Sequence, residues 1–200
     1  MTSVTGKMLD TNLMNQSDRT ARFQAKLLRP AKSGDDPSWA FVVIPKAESE
    51  KLPRRGKTTV TGTMNGQPFQ ATLDPDGQLS HWLKVDLDLQ EAAGVRAGDM
   101  ITLEIAPVEQ EPEPEIPQDL DHALNSNSAA RRVWLDTTAV ARLDWIHWIT
   151  SAKQAKTREK RICDACAMLA AGKKRVCCFD SSGYYSKAFT APKPHPACEA

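Results

Sequence analysis

Four cysteines near the end of the chain have a spacing that could do chemistry. Cys163 and Cys166 form a C-x-x-C pair, and Cys177-Cys178 follow after ten further residues. Four thiolates so placed are a candidate tetrahedral zinc site, provided the chain turns back after Gly172. Two features weigh against it. The C-x-x-C lies within a helical pattern, where residues three apart share a face but lack the turn of a zinc knuckle. Adjacent Cys177 and Cys178 would point to opposite faces of an extended segment. Cys163 and Cys166 are therefore expected to pack as small apolar side chains beside Ile162, Leu169 and Ala170, with no cofactor bound. Zinc held by Cys163, Cys166, Cys177 and Cys178 is the runner-up. A redox role ranks lower, because the pair lacks a βαβ setting.

The same stretch, "KTREKRICDACAMLAAGKKR" from Lys156 to Arg175, carries seven basic residues against two acidic ones. Lys153, Lys156, Arg158 and Arg161 gather where a last helix should begin, with Thr157 as the expected N-cap. Open amide donors, the positive end of the helix dipole and guanidinium forks together favour an anion such as a phosphate. Lys153, Lys156, Thr157, Arg158 and Arg161 are thus the candidate anion site. The competing reading is a solvated basic face whose arginines pair with an acidic linker or with Asp136 and Asp144.

No catalytic set is visible. "GKT" at Gly56–Thr58 has Lys51 where a phosphate-binding loop needs glycine, and the β-like "TTVTGT" follows where a helix is required. His81, His122, His147 and His195 are scattered, with no Ser or Cys at a recognisable spacing, and His147 is expected at a helix–helix boundary. The expectation is a protein that is not an enzyme.

The elements that must position these residues fall into two regions. From Arg22 to Ala106 the pattern reads as six short strands. "RFQAKLL" alternates, and "WAFVVIP" is rich in aromatic and β-branched residues. Asn65-Gly66 sits between two β-like runs and signals a type I′ hairpin. "DPDG" at Asp74–Gly77 supplies a second turn. "SHWLKVDL", a helical "LQEAAG" and "VRAGDMITLEIAP" complete the set, which suggests a small closed or half-closed barrel.

"VEQEPEPEIPQD" then interleaves Glu109, Glu111, Glu113 and Glu115 with Pro112, Pro114 and Pro117. That mix is expected to remain an extended linker that does not pack. Beyond it the period becomes helical. "DLDHALNS", "SAARRVWLD" with Ser128 as N-cap, "TTAVARLDWIHWITSAK" with a broad apolar stripe, and the basic cysteine-bearing stretch make four helices. Gly172 is placed to end the last of them. The expected layout is an unstructured 1–20, a barrel at 21–108, a linker at 109–117, an all-α domain at 118–178 and a mobile tail at 179–200.

The chain of 200 residues is 40% hydrophobic and 26% charged, with a formal net charge of +1. That balance gives no global pull toward nucleic acid or anionic lipid. No apolar run approaches the ~20 residues that cross a bilayer. The first residues lack a signal-like apolar core, and five cysteines are an odd number for a disulfide framework, so a cytoplasmic location is expected.

Several segments resemble a known family in order. "WAFVVIP", "VTGTMNGQPFQATLDPDG" and "EAAGVRAGDMITLEI" look like the N-terminal barrel domain of the YdeI/OmpD-associated, or bacteriocin-protection, family. "LDWIHWITSAKQAKTREKRICDACAMLAAGKK" resembles its C-terminal helical domain through Trp145, Ile146, Ala152, Lys153, Thr157, Arg158, Arg161, Ile162, Gly172 and Lys173. The resemblance implies an α+β protein of two domains: a small six-stranded barrel of double-split type, followed by a small all-α domain. It implies no catalytic residues. The paired cysteines, the acidic linker and the "SSGYYSKAF" tail depart from the family pattern. The expected function is a non-enzymatic binding protein linked to bacteriocin, antimicrobial-peptide or envelope-stress protection, its partner an unidentified protein or small anionic ligand. Nucleic-acid binding is the alternative, disfavoured because the barrel region is not strongly basic.

Overall fold

The computed structural model describes residues 20–32, 38–176 and 190–196. Six strands form the first region: β1 (Ala21–Lys26), β2 (Ala40–Val43), β3 (Thr58–Met64), β4 (Gln67–Pro75), β5 (His81–Val85) and β6 (Met100–Pro107). They lie in the order β1-β6-β3-β4-β5-β2, and every pairing is antiparallel. Leu28, just past β1, exchanges both backbone hydrogen bonds with Phe41 of β2 at 2.8 Å, which brings the two ends together. The result is a nearly closed six-stranded barrel.

The turns follow from the residues that occupy them. Asn65 and Gly66 both take positive φ, 50° and 88°, so a two-residue turn joins β3 to β4 in the hand that strand twist requires. After β4, Asp76 Oδ1 accepts from the amides of Gln78 and Ser80 at 2.7 and 2.8 Å and closes the loop into β5. Gly62 of β3 is needed for close approach, because a Cβ there would lie 1.9 Å from the carbonyl oxygen of Glu104 on β6. Leu27, Val60, Met64, Leu73, Leu83, Ile101 and Leu103 fill the interior. Each such side chain contributes about 1.5–3 kcal/mol relative to exposure. Two short helices decorate the barrel, α1 (Lys46–Ser49) and α2 (Leu87–Ala93), the latter capped by Asp86 and ended by left-handed Gly94.

The second region holds α3 (Gln118–Asn125), α4 (Ser128–Leu135), α5 (Ala139–Thr150) and α6 (Ala155–Ala170). Leu120, Leu124, Trp134, Trp145, Ile149 and Leu169 make its core. The N-caps differ from the sequence expectation at two helices. Asn127, not Ser128, caps α4 by accepting from the Ala130 amide at 3.0 Å. Gln154 occupies the cap position of α6, and Thr157 lies inside the helix. The good helix formers Ala155 and Lys156 carry the first turn back beyond the threonine. The C-terminal end agrees with expectation. Gly172 takes φ 84°, its amide bonds Leu169, and the Lys173 amide bonds Met168, the double closure of a Schellman motif.

Three further expectations are overturned within these elements. The linker packs: the Val108 amide bonds Thr59, Glu111 accepts from Thr59, Glu113 pairs with Arg142 at 2.5 Å, and Ile116 joins the helical core. Its carboxylates found donors, which composition alone does not reveal. Cys163 is exposed rather than packed, whereas Cys166 is buried, because α6 turns only Ile162, Ala165, Cys166 and Leu169 inward. Within the tail, residues 190–196 pair with the barrel, Pro194 facing Pro30. The expected unstructured N-terminus, the remainder of the tail, and Cys177 and Cys178 lie outside the described residues.

Candidate functional site

Charged and imidazole side chains collect where the barrel meets α5. On that helix Asp144 and His147, three residues apart, face the barrel, while Trp145 and Ile149 face the helices. A helix covered on both sides shows no clear apolar stripe, and His147 sits at the domain junction rather than between helices. From the barrel side, Arg54 pairs with Asp144, and Lys57 pairs with Asp74 at 2.8 Å. His147 Nδ1 lies 3.9 Å from the same Asp74 oxygen. Beside them Thr59 donates its hydroxyl to Glu111, and its Oγ1 lies 3.0 Å from the Thr72 hydroxyl.

The environment sets the charge of each group. Burial pushes the Asp144 carboxyl above its usual range, although the Arg54 guanidinium pulls the other way. Burial, reinforced by the Lys57 charge, holds His147 down at about 4, with Asp74 opposing. His147 is therefore neutral at pH 7, and its approach to Asp74 is not an ion pair under those conditions. Arg54 Nη1 and Trp145 Nε1 are buried donors with no acceptor among the described residues.

A serine and a histidine also meet. Ser49 Oγ lies 2.7 Å from His81 Nδ1, and His81 Nε2 lies 3.0 Å from the Gly56 carbonyl oxygen. A carbonyl can only accept, so Nε2 carries the proton and Nδ1 accepts from the serine hydroxyl. Burial lowers the His81 pKa. The pair is enclosed, Ser49 being 5% and His81 1% exposed, and the third group is a carbonyl, not a carboxylate. What it does here is tie α1 and the Gly56 loop to β5.

The residues expected to hold an anion are placed differently from one another. Arg158 makes a two-pronged pair with Asp119 of α3, Nε to Oδ2 at 2.6 Å and Nη2 to Oδ1 at 2.9 Å. The Arg158 hydrogen bond holds the Asp119 carboxyl below its usual range. Arg161 donates to the Trp148 carbonyl at 2.5 Å and to Ser151 Oγ at 3.0 Å, with its guanidinium 5.4 Å from the Trp148 ring centre. Both forks thus fasten α6 to neighbouring helices. Lys153, Lys156 and Thr157 are exposed at the start of the helix. Asp136 pairs with Lys174 at 2.6 Å, and Asp144 takes its partner from the barrel rather than from α6. Burial, then the neighbouring Cys163, raises the Cys166 thiol pKa. Among the described residues no three metal-ligating side chains come together. No described helix is long and apolar enough to cross a membrane.

Sequence reasoning missed the junction itself. Arg54, Lys57, Asp74 and His147 carry no local motif, and Arg54 lies 90 residues from Asp144. Only the paired carboxylate and imidazole on one face of α5 offered a signal.

Beyond the junction, linker and α5 enclose a cleft of about 650 Å³ lined by Glu109, Glu111, Glu113, Ala139, Val140 and Arg142 among others.

Comparison with known families assigns both halves. Residues 23–105 match a domain of unknown function, DUF1905, and residues 113–172 match the family described as bacteriocin-protection, YdeI or OmpD-associated. Comparison with curated proteins finds no match. The barrel and the helices thus correspond to two family domains in the expected order: a DUF1905 domain, then a domain of the bacteriocin-protection, YdeI or OmpD-associated family.

Proposed function

We propose that the protein binds cationic antimicrobial peptides of the bacteriocin type and protects by holding them, without catalysing a reaction. The description of its C-terminal family supports the ligand class. One geometric observation carries the reading: the linker carboxylates Glu109, Glu111 and Glu113 line a cleft whose other wall includes Ala139 and Val140 of α5. Carboxylates opposite small apolar side chains suit an amphipathic cationic peptide, with lysines against the linker and apolar residues against the helix. Glu113 already engages Arg142 and Glu111 already accepts from Thr59, so a ligand lysine would exchange with or share existing partners there. The odd number of cysteines in the chain, five, fits action in a reducing, cytoplasmic compartment.

Isothermal titration with an amphipathic lysine-rich peptide tests this. Binding should weaken with salt, and Glu109→Gln with Glu113→Gln should lower affinity about tenfold, from two partly screened charge contacts. Absence of binding, or equal affinity in the folded double variant, would contradict it.

A further inference from the structure

We infer that the strand running on from β1 to Ala31 is a recognition edge for an extended peptide with proline at alternate positions, and that residues 190–196 of this chain fill it in cis. The edge follows from the ladder. Leu28 bonds Phe41 on one side. Leu27 bonds the other side, donating to Asp99 O at 2.9 Å and accepting from the Gly98 amide at 2.7 Å. Backbone groups alternate sides along a strand, so Arg29 and Ala31 face the side that β6 occupies lower down. But β6 begins only at Met100, which pairs with Lys26. Past that point the side would be an open sheet edge, a template for unwanted strand addition.

The tail takes it. The Ala31 amide donates to Lys193 O at 2.7 Å, and the His195 amide donates to Arg29 O at 2.7 Å. Pro30 and Pro194 stand opposite each other between those two bonds. That is the pair position at which neither strand contributes a donor, so two prolines face each other there without loss of a hydrogen bond.

Proline also decides what happens on the outer side. In "TAPKPHP" the backbone groups of Lys193 and His195 point to the barrel, so those of Pro192 and Pro194 point away. Neither proline has an N–H, and a further strand would meet no donors from them. Pro192 and Pro194 are half-buried while Lys193 and His195 are exposed, the alternation of a docked strand. The segment therefore fits the edge and also terminates the sheet. The segment lies outside both family-matched spans, 23–105 and 113–172, whereas the edge it fills lies within the first.

Amide hydrogen exchange by NMR on the full chain tests the inference. The Ala31 amide should be protected, and His195→Pro, which deletes the donor to Arg29, should cut that protection about fivefold or more. Pro194→Ala should keep it. The Leu28 amide, bonded to Phe41, should stay protected in every variant and report an intact barrel. A synthetic peptide spanning Thr190–Pro196, at roughly the millimolar effective concentration of a tether, should restore Ala31 protection in the His195→Pro chain. Unchanged Ala31 exchange in His195→Pro, or failure of the peptide to restore it, would overturn the inference. Protection that falls on dilution would assign the strand to a second copy and overturn the cis arrangement.

Discussion

Arg54 of the barrel and Asp144 of α5 form an ion pair across the domain junction, 90 residues apart in sequence. Neither domain alone satisfies them. Burial raises the Asp144 carboxyl, and Arg54 is the group that keeps its charge tolerable. The pair acts as a clamp between domains that the linker already joins.

Arg54→Ala should therefore destabilise the protein by about 2 kcal/mol, between the cost of breaking a buried pair and that of a surface one. Asp144→Asn should cost less, because it removes the poorly solvated charge. A double-mutant cycle by urea denaturation measures the coupling, and additive effects would mean that the two residues do not cooperate.

Acid should loosen the same junction. His147 is held at about 4 in the folded protein against 6.5 in the unfolded chain. The unfolded state then binds more protons between those values, so stability is complete above 6.5 and falls as pH drops toward 4. The share of His147 is on the order of 3 kcal/mol over that window. His81, lowered by burial, acts with the same sign. Asp144 acts in the opposite sense, from 3.8 upward. Thermal denaturation across this range should show a flatter profile for His147→Gln than for the wild type; parallel profiles would contradict the assignment.

Gly62→Ala should destabilise by about 2–4 kcal/mol, since the new methyl meets the Glu104 backbone and not a movable side chain. A shift in the urea midpoint of less than about a tenth of that expected would show that β3 and β6 can part locally.

Arg161→Ala should cost more stability than Arg158→Ala. Arg158 holds a half-exposed carboxylate, worth about 0.5–1 kcal/mol. Arg161 caps the end of α5 through the Trp148 carbonyl and lies over its ring, worth about 1–3 kcal/mol together. Equal melting temperatures for both variants and the wild type would return these arginines to an unengaged, ligand-ready role.

Much of the fold was legible because its signals are local. Asn65-Gly66 fixes a hairpin by backbone sterics, and Gly172 ends α6 within one turn of chain. The six strands and the change to helical period followed from side-chain spacing over a few residues. What escaped was non-local. The Ser49–His81 bond joins residues 32 apart, and the Glu111–Thr59 bond joins residues 52 apart. Composition marked the linker as unable to pack because a run of glutamates and prolines has no apolar face of its own. The donors on Thr59 and Arg142 supplied what the segment lacked. Likewise residues 190–196 read as mobile until the open side of Arg29–Ala31 is on view.

Chemical-shift mapping addresses the binding reading most directly. An amphipathic lysine-rich peptide titrated into the isotope-labelled full chain should shift the amides of residues 109–111, 113 and 139–142 in a saturable, salt-sensitive manner, the two walls of the acidic cleft. Shifts confined to the start of α6 around Lys153 and Lys156, or none at peptide excess, would contradict it.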